Sequence, residues 1–296
     1  MNLLEFQERF LTEDDCMAYL IEQRWPDGYV CEYCGGTEAG YHVGHRRFQC
    51  KYCLRQKSIT AGTMFHRSHT PLKEWFLAIY LMSQSKKGIS SLELQQHLGA
   101  KDERRAARMQ GLIRQAMGSR EECYKLTGFI QADDTLFGGK SNRRDGKTGF
   151  ENKVRVQVTL SLEEKTDKPK YLKMKVMPDG KKETALKTIQ QSVVPGSTVW
   201  SDGGTNFQEL PQAGYKHVGF VIEDQSDCET HFKWLNTIIS NAKRFVLGTH
   251  HSVSPEKLQE YLDEFCYRFN RRSFGSQIFP RVLSVALLFV PIYLRP

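Results

Sequence analysis

The chain has 296 residues, 40% hydrophobic and 26% charged, which excludes a disordered or fibrous protein and leaves room for two or three compact units. A formal net charge of +8 favours a polyanionic partner, nucleic acid before anionic membrane. The acidic start, MNLLEFQERFLTEDD, does not read as a signal peptide, and Val282–Ile292 falls short of the roughly 20 residues of a membrane-spanning helix.

Residues 1–27 read as a helical lead, with Leu3–Trp25 helical and Thr12 and Asp15 at capping-box spacing. Residues 28–62 read as a zinc ribbon. Cys31, Cys34, Cys50 and Cys53 form two C-x2-C knuckles, which can bring four thiolates to the corners of the tetrahedron zinc prefers. The chain holds eight cysteines, and without a secretion signal they point to a reducing cytoplasm and metal binding rather than disulfides. Redox or free thiols are the competing reading. His42 and His45 read as surface residues, and Cys16, Cys123, Cys228 and Cys266 as core. Arg46 and Arg47 lie between the knuckles, where they could touch DNA.

Residues 68–122 read as helical. Thr70 is placed as an N-cap with Pro71 at the first helical position. The stretch Gly88–Gly99 leads into a helix over about Asp102–Met117 that carries Arg104, Arg105, Arg108 and Arg114. Two short helices joined at a Gly, the second rich in arginine, describe a DNA-binding helix-turn-helix or a helical hairpin with a solvated basic face.

Residues 126–272 carry an α/β pattern. Phe129, Ile130 and Ala132 suggest a buried strand ending in Asp133 and Asp134, and successive strand residues face opposite ways. A carboxylate there can bind a hard cation or simply sit in a solvated turn. A basic loop, Ser141–Lys153, follows. Val154–Glu163 and Tyr171–Met177 alternate as strands with one polar face each, Lys181–Val194 reads as a helix, and Ser197–Trp200 as a strand reaching Asp202. This is the order of a ribonuclease-H-like mixed sheet with flanking helices. Leu235–Leu247 and Ser254–Arg271 then read as amphipathic helices, and residues 273–296 as a helical tail stopped by Pro291.

With these parts in order, the chain resembles bacterial insertion-sequence transposases of the zinc-ribbon, ISXO-like group in the DDE superfamily. The resemblance rests on CEYCGG, RRFQCKYCLRQKS, TAGTMFHRSHTPLKEWFLAIYLM, ADDTLFGGK, SDGG and AKR…GTHHSVSPEKLQEYLDEFCYRFNRR. It implies a cytoplasmic, nucleoid-associated enzyme that binds terminal inverted repeats in double-stranded DNA as a homodimer or larger assembly. It also implies cleavage and strand transfer with Mg²⁺ or Mn²⁺, beside a structural Zn²⁺. It assigns the acidic positions to Asp133 and Asp202, the third ligand to Asn236 and a phosphate-holding role to Lys243. Glu229, Asn236 and Lys243 share one helix face at spacings of seven, nearly two turns of about 3.6 residues, so Glu229 competes for the third position. Ser226 and Glu229 stand at capping-box spacing, which gives Glu229 another role. A non-catalytic regulator built on the ribbon and helix-turn-helix is the alternative function.

Overall fold

The structure, a computed structural model, describes residues 1–138, 153–202, 204–220, 231–250 and 253–291. In chain order its elements are α1 (Leu3–Arg9), α2 (Glu13–Arg24), β1 (Ala39–His42), β2 (Arg47–Cys50) and β3 (Gln56–Ser58). Next come α3 (Leu72–Gln84), α4 (Ser91–Leu98), α5 (Glu103–Glu122), β4 (Phe129–Phe137), β5 (Val154–Leu162), β6 (Pro169–Met177) and α6 (Lys182–Ser192). β7 (Thr198–Ser201), β8 (Lys216–Gly219), α7 (Lys233–His250), α8 (Leu258–Asn270) and α9 (Ile278–Leu288) complete the series. Two compact units result: Met1–Met117 with Phe274–Pro296, and Gly118–Ser273.

In the first unit the expected single helix over Leu3–Trp25 is two. Each opens with a capping box, Asn2 with Glu5 and Thr12 with Asp15. The break buries Phe6 and Phe10, whose rings lie 4.5 Å from Tyr80 and 4.9 Å from Phe76, respectively. The tail helix α9 adds Phe279 to this cluster, 5.5 Å from Phe6. It begins earlier than Val282 and ends before Pro291, since a residue preceding proline is held in extended backbone.

The start of α3 departs from expectation. Pro71, not Thr70, occupies the cap position and no side chain of the segment itself caps the helix. Glu13 of α2 does so instead, accepting from the N–H groups of Leu72 at 2.8 Å and Lys73 at 3.1 Å. α4 is capped by Ser90 and closed by Gly99 in left-handed backbone, φ 59°.

The second unit is a five-stranded mixed sheet in the order β6-β5-β4-β7-β8. β6, β5 and β4 pair antiparallel, while β4–β7 and β7–β8 are parallel, giving the ribonuclease-H-like arrangement the sequence predicts. Alternation sends Ile130, Ala132 and Val199 to one face, against Ile189 of α6. Val156, Val158 and Leu160 go to the other, against Leu235, Ile238 and Phe245 of α7 and Leu262 of α8. The polar face of β5 is not solvated: Gln157, Thr159 and Ser161 are buried, and the Gln157 amide donates to the Ala185 carbonyl of α6 at 3.1 Å.

α8 begins at Leu258 rather than Ser254, whose carbonyl closes a preceding turn by accepting from Lys257 N–H at 3.0 Å. The helix runs beside edge strand β6. The Gln259 amide accepts from Val176 N–H at 2.8 Å and donates to the Met174 carbonyl at 3.1 Å. Asn270 does the same for both backbone groups of Leu172, at 2.7 and 2.9 Å. Backbone groups that would template a foreign strand are thereby occupied. Cys16 and Cys266 are buried as expected, whereas Cys123 is exposed at the end of α5, past its last packed turn. Cys228, Ser226, Glu229 and nearly all of the Ser141–Lys153 loop lie outside the described residues.

Candidate functional site

The ribbon site is local. β1, β2 and β3 form an antiparallel sheet whose hairpin returns the second knuckle to the first. Sγ atoms of Cys31 and Cys53, and of Cys34 and Cys50, are each 3.6 Å apart, and all four lie within 4.8 Å of one another. A tetrahedron with Zn–S bonds of about 2.3 Å has edges of about 3.8 Å, so the thiol set fits zinc with little movement. The Tyr33 N–H lowers the Cys31 thiol to about 6 and the Cys53 N–H lowers that of Cys50, whereas Cys34, with the Gly36 N–H opposing, is pushed up to about 12 by the neighbouring thiols, Cys53 first. Gly36 is required here: a Cβ would fall 2.3 Å from the Tyr52 ring of the opposite knuckle. His42 and His45 are exposed, His42 sharing a 2.9 Å hydrogen bond with Gln49.

The carboxylate site is assembled across the sheet. The last registered pair of β4 and β7 is Gln131 with Trp200, and two residues further along both strands are Asp133 and Asp202. Alternation puts both on the face of Trp200 and Phe129, which packs against α7. Asp202 lies just past the carboxyl end of β7, whereas Asp133 lies at the middle of β4, which runs on to Phe137 instead of ending at Asp133 and Asp134 as the sequence suggests. The strand order reverses between these two strands. Asp133 is half-buried, and burial, followed by the Asp202 charge, pushes its carboxyl up to about 7, with Lys243 of α7 opposing. Burial lowers the Lys243 ammonium while Asp133 pulls the other way, and the ammonium lies 5.9 Å from the Phe137 ring. Asp202 is exposed and accepts from Gly204 N–H at 3.1 Å. Asn236 is half-buried near the start of α7, on a helix that packs against β4.

Asp134 belongs to the opposite face. There its carboxylate is ion-paired with Arg155 of β5. The signal was available: in VRVQV, Arg155 and Gln157 alternate on the face of Asp134, and Gln157 is its registered partner. Gln131, on the face of Asp133 and nine-tenths buried, is a second residue not foreseen. Its carbonyl oxygen has no hydrogen-bond partner among the described residues. A cavity of about 660 Å³ in the same unit, lined by Gly128, Thr198 and Lys216, lies at the opposite ends of these strands and is unrelated to the carboxylates.

The arginines of α5 separate. Arg104 and Arg108 are exposed, Arg105 is half-buried and ion-paired with Glu74 of α3, and Arg114 is buried. Arg114 is therefore not part of a solvated basic face, because its turn of α5 lies among Ile113 and Met117 in the core. In the ribbon, Arg46 is 3.3 Å from Glu13, and Arg47 is exposed at the start of β2. No helix among the described residues is long and apolar enough to cross a membrane.

A ribonuclease-H-like sheet with two level carboxylates, preceded by a four-thiol ribbon, places the chain among the DDE-type proteins. Residues 125–270 match the ISXO2-like transposase domain, and residues 11–56 match the transposase zinc-ribbon domain. The chain belongs to the ISXO2-like transposases with an N-terminal zinc ribbon. It is similar to an uncharacterized protein in transposable element ISH50 of Halobacterium salinarum, 24% identical over 296 residues covering 94% of this chain and 98% of that protein. That relative is archaeal, so the bacterial part of the expectation has no support from it.

Proposed function

We propose that the chain is an active transposase that binds the terminal inverted repeats of an insertion sequence, cuts at their ends and transfers the strands to target DNA. The observation that carries this reading is the pair Asp133 and Asp202, brought level by neighbouring parallel strands, with the Asp202 charge adding to burial in raising the Asp133 carboxyl. A partly buried carboxylate with a second negative charge beside it holds its proton more tightly, and a divalent cation offsets that cost. The all-oxygen donor set and the unpartnered Gln131 carbonyl beside it fit a hard ion. Asp133, Asp202 and the side-chain oxygen of Asn236 would hold Mg²⁺ or Mn²⁺. Bound there, such ions activate a water or 3′-hydroxyl and stabilise the leaving oxygen.

The protein's own groups supply the rest. Lys243 offers a cation on the same face, where a scissile phosphate would lie, and its partial burial strengthens that interaction. Arg155 pairs with Asp134 on the opposite face, although the Asp134 charge still raises the Asp133 carboxyl more than Lys243 lowers it. The α4–α5 pair acts as a helix-turn-helix, with exposed Arg104 and Arg108 reaching DNA and Arg105 fixing α5 to α3 through Glu74. Joining two ends needs two active sites, so a DNA-bound homodimer is the simplest assembly.

The test is nicking of a terminal-repeat duplex in Mg²⁺ or Mn²⁺. The reading requires metal-dependent nicking by the wild-type chain and none by Asp133→Asn. Salt-dependent duplex binding without nicking would leave the non-catalytic DNA-binding regulator instead.

A further inference from the structure

From Ala39 to Lys73 the chain has no Asp or Glu, while carrying seven Lys or Arg and four His. In the fold this stretch lines a groove of about 560 Å³ inside the first unit, running from the turn before β2 to the start of α3. His45, Arg46 and Arg47 line one side, and Ser68, His69 and Thr70 the other. Neighbouring residues of a strand normally point to opposite sides. Arg46 is in left-handed backbone, φ 50°, at the end of the preceding turn, which lets it share the groove with Arg47. A single carboxylate lines the groove: Glu13, which caps α3 and reaches Arg46 at 3.3 Å.

We infer that this groove is a second DNA contact, distinct from the arginine helix, and that it takes the phosphate backbone of a duplex. Guanidinium, imidazole and hydroxyl groups are the set that phosphates recruit, and they fix position without reading sequence. The groove's aromatic lining residue, Phe65, is buried in the core and offers no exposed ring on which a base could stack. The basic run extends past the groove to exposed Arg55 and Arg67, which suits a repeating polyanion better than a single small anion. Glu13 limits the affinity, because it places one negative charge in the track and holds Arg46 to itself. The inference rests on the transposase reading for its ligand.

Two substitutions of opposite sign test it in the full chain, by anisotropy with a short random-sequence duplex and a terminal-repeat duplex. Arg47→Ala with His69→Ala should weaken both duplexes alike, by roughly three- to tenfold, and flatten the salt dependence by about one phosphate contact. Glu13→Gln keeps an acceptor for the start of α3 and should tighten both, by roughly two- to fivefold. Bound zinc and thermal unfolding of each variant report whether the ribbon is intact. If the double variant loses zinc, the Glu13→Gln result decides alone. Unchanged affinity and salt slope in intact variants of a wild type that binds would overturn the groove and leave the transposase reading standing. Loss of repeat preference alone would make it a base-reading surface and also overturn it. A wild type that binds neither duplex would sink both readings.

Discussion

The ribbon and the carboxylate site are both candidate metal centres, yet they are built in opposite ways. The four thiols lie between Cys31 and Cys53 and are gathered by one small antiparallel sheet. Closing so short a loop costs little, and the metal that joins it stabilises the fold directly. Asp133 and Asp202 are separated in sequence by two antiparallel strands and α6, and meet only because β7 pairs parallel to β4. Their meeting in a half-buried place is unfavourable in itself: burial first, and then the Asp202 charge, raises the proton affinity of Asp133. The sheet holds them there against that cost. The contrast separates a centre that supports the fold from one that the fold supports, and the second kind is where chemistry is expected.

The largest effect expected of any substitution is at the ribbon. Cys50→Ser should release the metal, whose apparent binding energy is on the order of 10 kcal/mol, and melt the region around β1–β3. Zinc content by mass spectrometry and calorimetry would show it; full zinc retention would break the comparison. At the carboxylates the effect should fall on rate instead. Asp133→Asn or Asp202→Asn should reduce nicking on the order of 10³-fold, as expected when several kcal/mol of transition-state stabilisation is lost, with thermal stability kept or raised. Asp134→Asn should be mild for nicking, since its carboxylate engages Arg155 on the other face. A reversed ranking of Asp133 and Asp134 would mean that the opposite face carries the reaction. The helix can be tested too: Asn236→Ala should abolish cleavage and Asn236→Glu retain part of it. Cleavage that survives Asn236→Ala but not Glu229→Gln would hand the role to Glu229.

Smaller effects sharpen how the sheet holds its site. Gln259→Ala strips hydrogen bonds from Val176 and Met174 on edge strand β6 and should cost about 1–2 kcal/mol, with faster amide exchange at Val176. Asp263 of α8 is pushed up to about 6, first by burial, with the Gln259 amide opposing. Its folded value lies above the ordinary 3.8, so the folded state holds the proton more tightly. Stability from this group is present at acid pH and is lost as pH rises from about 4 through about 6, by at most on the order of 2–3 kcal/mol. Asp263→Asn should flatten that part of the pH–stability profile measured by urea unfolding. An unchanged profile would show that the carboxyl is solvated.

Parts of this protein follow from sequence alone, for a physical reason. Capping boxes, strand alternation and each C-x2-C knuckle are short-range patterns whose partners lie within a few residues, and the two knuckles stand within one short stretch, so Cys31–Cys53, Thr12 with Asp15, and the opposite facing of Asp133 and Asp134 are legible without a fold. The order of strands and helices likewise implied the ribonuclease-H-like sheet. What tertiary structure decided has partners distant in sequence. The capping of α3 by Glu13, the burial of Arg114 and the pairing of Arg105 with Glu74 have no local signal. The same holds for the side-chain amides along β6 and for the burial of the polar residues of β5. A helix of arginines looks uniform in sequence because periodicity reports spacing, while only packing decides which guanidinium meets solvent, which meets a carboxylate and which is enclosed.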